Sequence, residues 1–379
     1  MKIIKNYLIF AIFFFLIIFF FQLIFHLNFF KIVNQKNLPR NILYNLDFFF
    51  HSFYPDTFDK NLKNYTAILG DSYGWGEGDE WLNNKQMYSA IHFLHEEDKN
   101  NYINFSVPGG RSITSFREFF FRFNQIKKSK FLPVIDEPKK IIFFFYEGND
   151  IIDNYVWFKK LNTKNKTVEN FVKDEIENFS YYNKRIFNIY LPVFNVFKNF
   201  FYEKFIHYIY LPYARKIYEN KKKYEESDII KNTIIFDNYN FLTYEGYIEN
   251  PGYNLNLRQL DISLEIFYES MKYFKKKFPS TSIEILYIPS HATIYEWKNN
   301  ITIKYENNSY LIDKIKRDNY YNYIINSMAN FSNKNNVKFI NSTNNLKIKS
   351  KNIFLHGTTD KRHFSKIGYK ILSDTVLEK

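Results

Sequence analysis

The chain of 379 residues contains no cysteine. That absence excludes a disulfide scaffold, cysteine-ligated zinc, iron–sulfur clusters and thiol catalysis. It leaves the compartment open, because an extracytoplasmic protein need not carry disulfides. No arginine-rich cluster occurs either. The net charge of +13, from 52 basic and 39 acidic residues, is spread through a chain saturated with Lys, Asn, Ile, Phe and Tyr. Nucleic acid is therefore not an expected partner. Overall disorder is excluded by the opposite property, since aromatic residues alone make up 21% of the chain and supply ample surface to bury. There is no internal repeat, and the length suits one large domain carrying a sizeable insertion.

Charge is also missing from one particular stretch. Between Tyr7 and Phe25 every residue is uncharged, and nearly all are Phe, Ile or Leu. At about 1.5 Å per residue such a helix approaches the roughly 30 Å of a bilayer's hydrocarbon core. A cleaved signal peptide is the competing reading, with Lys2 and Lys5 as its basic region. The apolar run exceeds the usual length for that, however, and no small-x-small cleavage site precedes Lys31. The expectation is an uncleaved transmembrane anchor over 1–31 and a linker over 32–60. The remainder then lies on the periplasmic or extracellular side. Lys31, Lys36 and Arg40 flank the far end, so charge alone does not set the orientation.

From residue 61 onward, short unbroken apolar runs alternate with helical patterns. Tyr65–Leu69, Tyr102–Val107, Ile141–Tyr146, Ile283–Ile288 and Val337–Ile340 are candidate strands. Runs of this kind suit strands covered on both faces, as in a parallel sheet. Helical patterns fall near 85–97, 112–128, 259–278, 317–335 and 364–378. The alternation predicts a doubly wound α/β domain over 61–379. The stretch 151–257 interrupts it, is rich in Tyr, Phe and Lys, and reads as a helical cap. Because it begins two residues after Asn149, it is suited to forming the rim of a site and choosing substrates.

Four short elements carry chemistry. Gly70-Asp71-Ser72-Tyr73-Gly74 follows the first strand, where a tight turn can present a serine hydroxyl as a nucleophile. It fits the G-x-S-x-G pattern of α/β-hydrolases, but only one strand precedes it, which argues against that fold. Asp360-Lys361-Arg362-His363 places a carboxylate and an imidazole where the first can fix the tautomer of the second. Gly148-Asn149-Asp150 and Val107-Pro108-Gly109-Gly110 each follow a strand and can offer N–H donors to a developing oxyanion. Each element alone reads equally well as an ordinary turn. Together they fall at the C-terminal ends of successive strands, which line one crevice in an open α/β sheet. His291, after the fourth strand, is a weaker candidate for a substrate contact. Gly74-Trp75-Gly76-Glu77-Gly78 fails the spacing of a dinucleotide loop, and His92 with His95 reads as a solvated helix face.

The four elements together resemble the SGNH (GDSL) hydrolase family, over about 65–150 and 259–378. The resemblance implies a three-layer α/β/α, flavodoxin-like fold with a five-stranded parallel sheet. It implies Ser72 as nucleophile, His363 as base and Asp360 as its orienting partner. Ser72, Gly109 and Asn149 would supply the oxyanion hole. Ser106 departs from the family, which often has glycine there. The implied activity is that of a serine esterase needing neither metal nor organic cofactor. Its substrate would be an ester, in the first place an O-acyl or O-acetyl group on a cell-surface glycan or lipid. An O-acetyltransferase of surface polysaccharide would use the same site, and a non-catalytic glycan-binding protein is the rival from another class.

Overall fold

A computed structural model describes residues 2–27, 61–83, 88–98, 100–128, 134–177, 231–237, 241–245, 248, 251–305 and 308–378. The first element, α1 (Lys2–Leu27), is a 26-residue helix. Its uninterrupted apolar span, Asn6–Ile24, is long enough to cross a membrane. Most of its large side chains, Phe10, Phe13 and Phe19 among them, are exposed. The expected linker over 32–60 lies outside the described residues.

Five strands form the central sheet: β1 (Thr66–Gly70), β2 (Tyr102–Asn104), β3 (Lys140–Tyr146), β4 (Ser282–Ile288) and β5 (Lys338–Asn341). They run in the order β2-β1-β3-β4-β5, and every pairing is parallel. All five coincide with the apolar runs of the sequence. The reason is visible along β3. Ile141, Phe143 and Phe145 enter one hydrophobic cluster, whereas Ile142, Phe144 and Tyr146 enter a second on the opposite face. A strand buried on both faces has no polar face to show. Each such side chain contributes about 2–3 kcal/mol of burial.

Helices cover both faces. On the first lie α3 (Ser112–Lys128), α4 (Asp150–Leu161), α5 (Val168–Glu177), α6 (Leu257–Lys277) and part of α7 (Lys314–Asn335). On the second lie α2 (Ala90–Asp98) and α8 (Lys366–Val376). The order reverses between β1 and β3, since β2 lies outside β1 and every later strand lies beyond β3. In an open α/β sheet the C-terminal ends of the strands at such a reversal, β1 and β3 in this order, are the usual place for a ligand.

Of the stretch 151–257, expected as a helical cap, the described residues hold both helix and strand. Its first helix, α4, packs against α6 in the covering layer, where Ser263 Oγ donates to the Ile151 carbonyl at 2.5 Å. Its end holds an antiparallel hairpin, Lys231–Ile235 with Phe241–Glu245. The adjacent isoleucines and threonines of that hairpin favour extended backbone, a signal that the surrounding Lys and Asn obscure. A second hairpin, Ile301–Tyr305 with Asn308–Ile312, also escapes the sequence pattern. Residues 178–230 lie outside the described residues.

Candidate active site

The end of β1 turns at once into a single helical turn, Ser72–Trp75. Asp71 caps it, one carboxylate oxygen accepting from the Tyr73 N–H at 2.9 Å. The other oxygen accepts from Asn149 Nδ2 at 2.9 Å, across the switch point from the end of β3. One carboxylate thus ties the serine's turn to the asparagine's amide. An amide carries two hydrogens, so orienting one toward Asp71 directs the second elsewhere. Asp150, next in sequence, is buried and holds the turn from beneath. It accepts from the Tyr146 N–H at 2.9 Å and from Ser112 Oγ at 3.1 Å. Burial, reinforced by the charge of Asp71, pushes its carboxyl well above the usual range.

Ser72 Oγ lies 2.9 Å from His363 Nε2. The other ring nitrogen, Nδ1, lies 2.7 Å from Asp360 Oδ2. Residues 291 positions apart in sequence therefore form one hydrogen-bonded chain. Burial opposes ionisation of Asp360, but the bond from His363 and the imidazole beside it, with backbone N–H groups, hold its carboxyl below the ordinary range. Ser72 is only 6% exposed, and hydrogen bonds in such a dry environment are strong.

Gly109 lies on the loop after β2, at φ +64 with open space where a Cβ would stand. That conformation favours glycine, and the loop surface there is bare backbone. The loop is fixed to the end of β1 by the Val107 N–H donating to the Gly70 carbonyl at 2.9 Å. Ser106 is buried beneath it, and its hydroxyl occupies the space that a Cβ on Gly74 would need.

The loop carrying Asp360 and His363 is closed by a backbone bridge between His356 and Phe364, with the Gly357 N–H donating to the His363 carbonyl at 2.9 Å, and several side chains hold it further. Asp79 accepts from the Thr358 N–H at 2.5 Å, Thr358 Oγ1 at 3.0 Å, the Thr359 N–H at 3.1 Å and the Asp360 N–H at 2.5 Å. Those bonds outweigh the desolvation of Asp79 and hold the pKa of its carboxyl below the ordinary carboxylate value. Tyr73 donates its hydroxyl to the Arg362 carbonyl at 2.6 Å. His291 donates from Nε2 to the Lys361 carbonyl at 2.8 Å.

The position of His291 corrects the expectation of a substrate contact. It is 1% exposed and stands behind the loop, its ring stacked 3.6 Å from that of His356. A short helical turn, His291–Ile294, carries it inward after β4. Burial pushes its pKa down to about 4, against the pull of the Lys361 carbonyl, so at neutral pH the ring is uncharged. His92 is likewise buried, bonded through Nδ1 to Ser89 Oγ at 2.7 Å, while His95 is on the surface.

Sequence reasoning missed Asp79, Tyr73 and Glu77. Glu77 Oε2 stands 3.6 Å from His363 Nε2, the nitrogen that faces Ser72. Four of the chain's eleven glycines fall in 70–78, and such density marks close backbone approach. A Cβ on Gly78 would lie 2.6 Å from the Phe364 carbonyl oxygen at a φ of +150. The glycines therefore let this segment pack directly on the histidine loop. No family model matches the chain, and no curated protein matches it.

Proposed function

We propose that this chain is a membrane-anchored serine esterase of the SGNH type. The observation that carries the reading is the Ser72–His363–Asp360 chain, with contacts of 2.9 and 2.7 Å, at the switch point beside Asn149. The strand order 2-1-3-4-5 is that of flavodoxin-like sheets and supports it further. The apolar span Asn6–Ile24 would hold the domain at a membrane, on its outer side.

In this mechanism Ser72 Oγ attacks the ester carbonyl carbon as His363 Nε2 takes the hydroxyl proton. Asp360 accepts from Nδ1, fixing the tautomer and stabilising the imidazolium. The carbonyl oxygen, now negative, meets the Asn149 amide and the backbone N–H groups of Ser72 and Gly109. Collapse breaks the bond from carbon to the alcohol oxygen, and Nε2 returns its proton to that oxygen. Water then repeats the sequence on the acyl-serine, releasing the carboxylic acid and restoring Ser72.

The test uses the full chain in detergent micelles. A fluorophosphonate should label Ser72, identified by peptide mass, and nitrophenyl acetate should be hydrolysed. Ser72→Ala should abolish both while keeping the wild-type melting profile. Acetate release at the wild-type rate from Ser72→Ala would overturn the reading.

A further inference from the structure

We infer that Glu77 reads the alcohol half of the ester, selecting alcohols that carry a hydrogen-bond donor on the carbon adjacent to the one bearing the esterified oxygen. The inference rests on the esterase reading and adds a substrate class to it: monoesters of vicinal diols, including sugars with a free hydroxyl beside the acyl group.

Glu77 is held from two sides. Its N–H donates to the Ser72 carbonyl at 3.0 Å. Its own carbonyl accepts from the Tyr369 hydroxyl at 2.5 Å. Gly78, packed against the Phe364 carbonyl, fixes the chain immediately after it. The backbone is thus tied both to the nucleophile's turn and to the segment beyond His363. The side chain remains 27% exposed, and its Oε2 comes to 3.6 Å from His363 Nε2. Asp360 occupies the other nitrogen, so the imidazole has a carboxylate on each side and only the Asp360 one has the tautomer-fixing role.

The position of Glu77 matters because of what Nε2 must do. In the step that breaks the ester, the proton moves from Nε2 to the departing alcohol oxygen, which must therefore lie within hydrogen-bond reach of Nε2. In a gauche diol the neighbouring hydroxyl is about one hydrogen-bond length from that oxygen. A carboxylate oxygen 3.6 Å from Nε2 is placed to accept from that hydroxyl while the ester oxygen faces the imidazole. A carboxylate accepts and never donates when ionised. It favours hydroxyl and ammonium neighbours, gives nothing to an alkyl chain and repels an acidic alcohol.

The experiment compares two acetates of matched size, propylene glycol monoacetate and propyl acetate, with the full chain in detergent micelles. The wild type should show kcat/KM about 10- to 100-fold higher for the glycol ester, the range of a hydrogen bond to a charged group. Glu77→Ala should bring the ratio near one. Glu77→Gln, which retains an acceptor oxygen without the charge, should fall between. Because each variant is judged by its own ratio, general damage to the site does not imitate the result. A wild type that labels at Ser72 with fluorophosphonate but shows no preference would overturn the inference and leave the esterase standing. So would a preference that survives in Glu77→Ala, or an equal loss on both esters, which would mark Glu77 as an electrostatic partner of His363 only. Absence of both labelling and acetate release would defeat the esterase reading and this inference with it.

Discussion

Removing the Asp79 carboxylate should disable His363 without touching it. Asp79 receives four hydrogen bonds from Thr358, Thr359 and Asp360, at 2.5 to 3.1 Å. These cross 279 to 281 positions of sequence and join the segment that carries Ser72 to the loop that carries His363. The groups are partly solvated, so each bond is worth about 0.5 kcal/mol net, at the low end of the measured range, or about 2 kcal/mol together. Asp79→Ala should therefore lower stability to urea by about 2 kcal/mol. Its effect on rate should be larger, because the Asp360 backbone is among the groups released, and misplacement of about 1 Å can cost roughly 100-fold. We expect kcat on nitrophenyl acetate to fall about 10- to 100-fold with a smaller change in KM. Asp79→Asn separates charge and geometry from bulk. Its amide nitrogen would point a donor at backbone donors, so it should behave nearly as badly as alanine. Wild-type kcat in both variants would refute the claim that this carboxylate holds the loop.

Two further outcomes follow from the site. Asn149→Ala should lower kcat about 10²- to 10³-fold, the usual effect of losing one oxyanion donor, with little change in KM; equal rates would mean that backbone N–H groups suffice. His291, held at about 4 when folded, against about 6.5 unfolded, binds fewer protons in the folded state across that window. The stability it contributes is present above pH about 6.5 and is lost as pH falls toward about 4. The loss is about 3 kcal/mol from a shift of about 2.5 units. Urea melts at pH 7 and pH 4.5 should show His291→Gln losing less stability on acidification than the wild type, and an equal loss would contradict the assignment.

The sheet was legible in the sequence because strands covered on both faces leave an unmistakable trace: Ile141–Tyr146 is apolar at every position. The hairpins were not, since Lys231–Ile235 opens with three polar residues and the alternation of Ile301–Tyr305 spans only five positions amid a background rich in Lys and Asn. Among site residues, Ser72, His363, Asp360 and Asn149 stood at strand ends or in a spaced pair, where pattern carries meaning. Asp79 and Glu77 had no such mark. Their partners are groups far away in sequence, and a carboxylate five or seven residues from Ser72 looks like any solvated acid until the fold closes. His291 misled for a related reason. Its place after β4 put it at the correct edge of the sheet, but the short turn His291–Ile294 directs its ring inward.

The halves of the site differ in what keeps them in place. Ser72 and Asn149 follow adjacent parallel strands, β1 and β3, whose register runs continuously from Thr66 with Lys140 to Gly70 with Phe144. Their separation is set by a hydrogen-bonded ladder with a spacing of about 4.8 Å and by the apolar layers on both faces. Neither can shift without disrupting that core. Asp360 and His363 belong to a loop beyond the edge strand β5, held by side-chain contacts from Asp79, Tyr73 and His291 and by a short backbone bridge at its base, where the Gly357 N–H donates to the His363 carbonyl and the Ser365 N–H to the Leu355 carbonyl. Such contacts are individually worth about 1 kcal/mol or less, far below the cost of opening the sheet. His363 should therefore lose its place before Ser72 does as conditions worsen. Amide exchange should show residues 358–363 opening at a free energy well below that of Ile141–Tyr146. If both segments exchanged only through global unfolding, the loop would be held by more than the contacts named here.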